Sequence, residues 1–293
     1  MKLTKETIYT LWSIAIVVMV LIAIFSLFFS ACAKQTDAAG FSVDKAPANT
    51  SAISAPREED DETGDETQEE PEAPEETQEQ TTPASVRLGE TPDAGRAYLD
   101  RIIFLGDSTT YGIGYYYSQG YEELCPATQV WTPRSGTLTL SYHSIATIVY
   151  PETNEELSIV DAVSRAKPDI LLMTLGVNGI SFMDESWFIS DYTALVNNVK
   201  QVSPDTKIIL NSIYPVAASY KYQSDINNDK IRAANGWIEQ VAENTGCRFL
   251  NSYECVVGPD GNLPESSHNG DGLHLNGETF TRVMEYIRTH AWE

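Results

Sequence analysis

The chain has 293 residues, of which 42 are acidic and 19 are Lys or Arg, giving a formal net charge of -23. So acidic a chain presents no basic face to a phosphate backbone, and nucleic acid is excluded as a partner. Its four cysteines and four histidines form no cluster at metal-ligand spacing, so neither a zinc-type centre nor a metal cofactor is expected.

Residues 1–32 form the first zone. From Leu11 to Ala31 there is no charged residue, and that run makes roughly 31 Å of helix, enough to cross a bilayer core. Lys2 and Lys5 precede it and acidic residues follow, so the positive-inside rule leaves the amino terminus in the cytoplasm and exports the rest. The segment is expected either to remain as a single-pass anchor or to be processed, because Phe29-Ser30-Ala31-Cys32 resembles the box in which a bacterial lipoprotein is lipidated on cysteine. The apolar run exceeds the 7–15 residues of a cleavable signal, which favours the anchor.

Residues 33–96 form an acidic linker without periodic apolar positions. Between Arg57 and Gln80 thirteen acidic residues face one basic residue, so this stretch carries -12 of the net charge. It is expected to be a disordered spacer, spanning at least about 45 Å as a random coil.

Residues 97–293 alternate apolar runs with amphipathic stretches, the pattern of an α/β domain around a mostly parallel sheet. Ile102 to Leu105 reads as a buried strand that hands Gly106-Asp107-Ser108 to a turn. A short apolar cluster, Gln129 to Trp131, precedes Pro133-Arg134-Ser135-Gly136, and Ser144 to Val149 reads as an extra strand. Leu157 to Lys167 reads as a helix that stops before Pro168. The second core strand, Asp169 to Leu175, ends in Gly176-Val177-Asn178-Gly179. A helix over Asp191 to Val202, a strand over Lys207 to Leu210 and a helix over Asp225 to Asn244 follow, the last closed by Gly246. After a strand at Cys247 to Leu250 comes a turn-rich loop, Gly258 to Gly272, and a final helix from Gly277 to about Thr289. Cys125, Cys247 and Cys255 permit at most one internal disulfide, either Cys247 with Cys255 or none.

Polar residues collect where these strands end. A serine hydroxyl is a weak nucleophile; it needs a histidine to take its proton, a carboxylate to orient that histidine and N–H donors for the oxyanion. Ser108, His274 and Asp271 supply the first three, the aspartate three residues before the histidine so that one turn can present both. The amides of Ser108 and Gly136 and the side chain of Asn178 are the candidate donors. His143, His268 and His290 have no motif around them and read as structural or exposed, although His268 lies on the approach to the site.

In order and spacing, Gly106-Asp107-Ser108, Gly176 with Asn178, and Asp271 with His274 resemble the motifs of the GDSL or SGNH hydrolases, serine esterases and lipases. The resemblance covers nearly all of residues 95–293 and implies a three-layer α/β/α, flavodoxin-like fold acting without a cofactor. Gly179 departs from the pattern, since many members carry aspartate there. Tyr111, Trp131, Arg134 and Gly179 are the candidate substrate contacts, and the many tyrosines around the motifs suit a wet, polar substrate. The expectation is an extracellular, membrane-tethered esterase that removes small acyl groups such as acetyl from carbohydrate through an acyl-serine intermediate. The same residues would serve an O-acyltransferase, a lipase or a thioesterase, and a non-catalytic glycan-binding module is the alternative of another class. Oligomeric state is not legible.

Overall fold

In the computed structural model the described residues are 85–292; the expected membrane segment, Cys32 and residues 33–84 of the acidic linker lie outside them. Among the described residues no helix is long and apolar enough to cross a membrane.

The elements run in the order α1 (Gly95–Leu99), β1 (Ile102–Gly106), α2 (Ser108–Ser118), β2 (Val130–Trp131), β3 (Thr147–Tyr150), β4 (Glu155–Ser158), α3 (Ile159–Ala166), β5 (Ile170–Thr174), α4 (Glu185–Val202), β6 (Lys207–Asn211), α5 (Asn228–Thr245), β7 (Arg248–Leu250) and α6 (Gly277–Arg288). Five strands form one parallel sheet in the order β2-β1-β5-β6-β7. The register pairs Ile102 with Ile170 and Gly106 with Thr174, so β1 and β5 end together. Two layers of helix explain why these strands read as unbroken apolar runs. Leu105, Leu171, Met173, Ile208 and Leu210 pack into one cluster with α3, α4 and α5, whereas Phe104, Ile170, Leu172 and Ile209 pack into the other with α2 and α6. Each such side chain contributes roughly 1.5–3 kcal/mol on burial.

Counting only sheet strands in chain order, the arrangement is the 2-1-3-4-5 of flavodoxin-like folds. The order reverses between β1 and β5, and the crevice beyond their carboxyl ends is where such sheets bind ligands.

Several boundaries differ from the sequence reading. The folded unit includes part of the expected linker: Phe249 donates its N–H to Val86 O and Leu88 donates to Phe249 O, so the chain joins the sheet edge before residue 97. Leu157 belongs to β4, which pairs antiparallel with β3 in a hairpin outside the main sheet, and α3 begins only after Ser158 caps it. α4 starts six residues early, at Glu185, because Asp184 accepts from the Trp187 N–H. Cys125, Cys247 and Cys255 are free thiols. No Cys247–Cys255 bridge forms, since Cys247 packs with the cluster on one face of the sheet and Cys255 against the other.

Candidate active site

Ser108, which the sequence places on a turn, is the first residue of α2. At Gly106 a side chain would meet Thr110 Oγ1 at 1.9 Å and Thr174 O at 2.8 Å, so only glycine lets β1 bend away this tightly. Asp107 then caps α2. It is fully buried, and its Oδ1 accepts from the Thr109 N–H at 2.9 Å and the Thr109 hydroxyl at 2.7 Å. The Ser108 N–H has no acceptor among the described residues, as expected for the first turn of a helix, and lies at the positive end of the α2 dipole.

Asn178 arrives from the end of β5. Its side-chain amide donates to Asp107 Oδ2 at 2.8 Å and, at 3.3 Å, to the Leu138 carbonyl. Burial raises the Asp107 carboxyl from 3.8 to about 6, against the opposing pull of the Thr109 hydroxyl and amide, the positive charge His274 can carry and the Asn178 amide.

His274 and Asp271 come from the loop before α6. The Ser108 hydroxyl donates to His274 Nε2 at 2.8 Å, and His274 Nδ1–H donates to Asp271 Oδ2 at 2.6 Å. The other carboxylate oxygen of Asp271 accepts from the N–H groups of Leu273 at 2.8 Å and His274 at 2.9 Å. Partial burial pushes the Asp271 carboxyl upward, but the His274 ring and these two amides outweigh it and hold the group below the usual carboxylate range. A row of serine, histidine and carboxylate can move a proton off a hydroxyl and keep the resulting imidazolium in place.

Sequence comparison decides the family at this point, because the profile of the GDSL-like lipase/acylhydrolase family matches residues 104–280, more than half of the chain. The chain belongs to that family. No curated protein sequence matches it. Among solved structures it is similar to a GDSL-like lipase from Bacteroides thetaiotaomicron, at 19% identity over 64% of this chain and 85% of that one, with a TM-score of 0.47. It is also similar to the periplasmic domain of a lipopolysaccharide acetyltransferase from Salmonella ser. Paratyphi A, at 15% identity over 69% and 84% of the two chains, with a TM-score of 0.43.

The remaining expected site residues divide. Gly136 does lie beside Ser108: its φ is +76°, and a side chain there would sit 3.7 Å from Ser108 Cβ. Its N–H, however, donates to Pro133 O at 2.9 Å and closes a turn, so it is not a free oxyanion donor in this acylhydrolase. Trp131 is 2% exposed and packs at a tilt against Tyr150 in the core, too deep to touch substrate. Gly179 is also buried, and a side chain there would strike Met183 Sδ at 2.6 Å, so any larger residue requires Met183 to move. Arg134 pairs with Glu156 of β4 and donates to Asn154 O at 3.3 Å, fastening the Gly136 turn to the hairpin.

Tyr111 is 58% exposed on the outer face of α2, with Tyr115 at 47% stacked one turn along. Both line two hollows that meet at Ser108. One, of about 700 Å³, runs past Val130, Pro133 and Gly136; the other, of about 510 Å³, is bordered by His274, Leu275 and Phe280. Among the described residues no group of His, Cys, Asp or Glu side chains could hold a metal ion.

The sequence does not show the tie between Asp107 and Asn178 or the burial of the His268 side chain. For the latter it carries only an indirect signal, since His268-Asn269-Gly270-Asp271-Gly272 sets a histidine against two glycines within the triad loop.

Proposed function

We propose that this acylhydrolase is a serine esterase, held on the outer face of a membrane by residues 1–32, that removes small acyl groups such as acetyl from carbohydrate. The observation that carries the reading is the unbroken row from Ser108 Oγ through His274 to Asp271, with 2.8 Å and 2.6 Å separations.

Ser108 Oγ attacks the ester carbonyl as His274 Nε2 takes its proton, and Asp271 stabilises the imidazolium that forms. Negative charge on the carbonyl oxygen meets the unused Ser108 N–H and the Asn178 amide. Asp107 fixes one hydrogen of that amide, and the other can exchange its long bond to Leu138 for the oxyanion. His274 then returns its proton to the leaving alcohol, which departs and leaves an acyl-serine. Water, deprotonated by the same imidazole, releases the acid and restores the hydroxyl. The stacked, exposed pair Tyr111 and Tyr115 beside Ser108 supports a sugar as the alcohol, since aromatic faces give amphipathic rings a flat apolar contact.

The test compares purified full-length chain with Ser108→Ala on p-nitrophenyl esters of increasing acyl length, then on acetylated xylan and peptidoglycan. Release confined to the unsubstituted chain and fastest on acetyl supports the reading. Equal rates for the two proteins overturn the esterase, and a preference for long chains overturns the acetyl assignment. Intact mass of the mature protein decides the tether, because retention of Met1 excludes processing at Cys32.

A further inference from the structure

His268 is only 5% exposed at its side chain, yet it touches neither Ser108 nor His274 through any hydrogen bond. Its Nδ1 instead accepts from two backbone amides, Gly270 N–H at 2.9 Å and Gly272 N–H at 3.1 Å. Backbone amides only donate, so Nδ1 carries no proton and the ring's single N–H is at Nε2, which donates to Glu265 Oε2 at 3.0 Å. Glu265 is held in turn by the Ser219 hydroxyl at 2.8 Å.

Two amides two residues apart reach one acceptor only if the chain between them curls back. Gly270 at φ +111° and Gly272 at φ +81° allow this, and the residue they enclose is Asp271. The curl is closed outside by Asn269 N–H donating to His274 O at 2.9 Å. Glycine is further required at 272, because a side chain there would meet Tyr220 Cα at 2.9 Å. The loop carrying Asp271 and His274 is therefore wound around the His268 ring.

We infer that His268 is a positioning residue for the catalytic pair: its unprotonated Nδ1 gathers the Gly270 and Gly272 amides and so aims Asp271 and His274 at Ser108. This rests on the esterase reading for its kinetic consequence but not for its geometry. An error of about 1 Å in such a constellation costs on the order of 10²-fold in rate.

Two substitutions separate the acceptor from the tie to Glu265. In His268→Asn the amide oxygen falls where Nδ1 lies and can still take the glycine amides, whereas His268→Gln places its amide where Nε2 lies and keeps only Glu265. With p-nitrophenyl acetate and full-length protein, the Asn variant is expected within about threefold of the parent kcat, and the Gln and Ala variants lower by roughly 10- to 100-fold with little change in KM. In parallel, the low-field proton resonance of His274 Nδ1–H, which reports its bond to Asp271, should persist in the parent and Asn proteins and vanish or move upfield in the other two. If His268→Ala does not fold, the Asn and Gln pair carries the comparison alone. Parent kcat and an unmoved resonance in His268→Gln would overturn the inference, as would an Asn variant no better than Gln. Should the parent prove no faster than Ser108→Ala, the esterase reading fails, and the resonance still decides the role of His268.

Discussion

The two halves of the site are built by different means. Ser108 and Asn178 follow the ends of adjacent strands buried at every position but Ile103, so their separation follows from the register that pairs Gly106 with Thr174. Asp271 and His274 hang on an irregular loop whose amides donate to the side chains of Asp271 and His268 and which Asn276 braces by donating to Ser266 O at 2.7 Å. Ser108 is placed by hydrophobic burial, which is non-directional and spread over many residues. His274 is placed by a few polar contacts, each worth about 1 kcal/mol in stability and much more in rate if it sets geometry. Substitutions in the loop should therefore cost activity with little loss of fold, and those beneath Ser108 should cost both.

The largest effect that sharpens this contrast is expected from Asp271→Asn, which removes the charge orienting His274. It should lower kcat by roughly 10³–10⁴-fold while the melting temperature stays near that of the parent, by steady-state kinetics and calorimetry. A loss below tenfold would mean that the loop places His274 without Asp271. On the strand side, Asn178→Ala removes the proposed oxyanion donor and the partner of Asp107, and should cost about 10²–10³-fold in kcat together with a drop in melting temperature.

Asp107 gives the contrast a pH signature. Its buried carboxyl has a folded value of about 6, above the ordinary 3.8, so the stability it contributes is complete below about pH 4 and is lost as pH rises through about 6. Relative to Asp107→Asn, which does not titrate, the parent should lose on the order of 3 kcal/mol between pH 4 and pH 8, at 1.36 kcal/mol per pKa unit. Parallel stability curves for the two proteins would show that Asp107 has its ordinary affinity for protons. The smallest effect is expected from Arg134→Ala: the exposed pair with Glu156 contributes about 0.2–1 kcal/mol, and its loss should appear mainly as a looser Gly136 turn, read by hydrogen exchange there.

How much of this the sequence displayed follows from the same contrast. β1 and β5 are buried on both faces and stand out as apolar runs, Gly246 marks the end of α5 with a left-handed φ of +66°, and the spacing of Asp271 and His274 lets one turn present both. α2 did not stand out, because Gly112 and Gly114 interrupt it. The glycines are there for packing: a side chain at 112 would meet Phe280 at 2.4 Å, and one at 114 would meet Ala127 Cα at 2.9 Å. β4 begins with Glu155 and Glu156, both exposed, and so shows no apolar alternation. Trp131 near a motif looks like a substrate contact until the hairpin brings Tyr150 over it. The Gly136 amide and the His268 ring depend on which backbone groups fold back onto them, and no spacing rule records that.

The central claim is that Ser108 is activated by His274. It is tested most directly by treating the full-length chain with a serine-directed fluorophosphonate and mapping the adduct by peptide mass spectrometry. The account predicts a single adduct, on Ser108, formed rapidly in the parent and at least about 10³-fold more slowly in His274→Ala. An adduct on another residue, or labelling of Ser108 at an undiminished rate without His274, would contradict it.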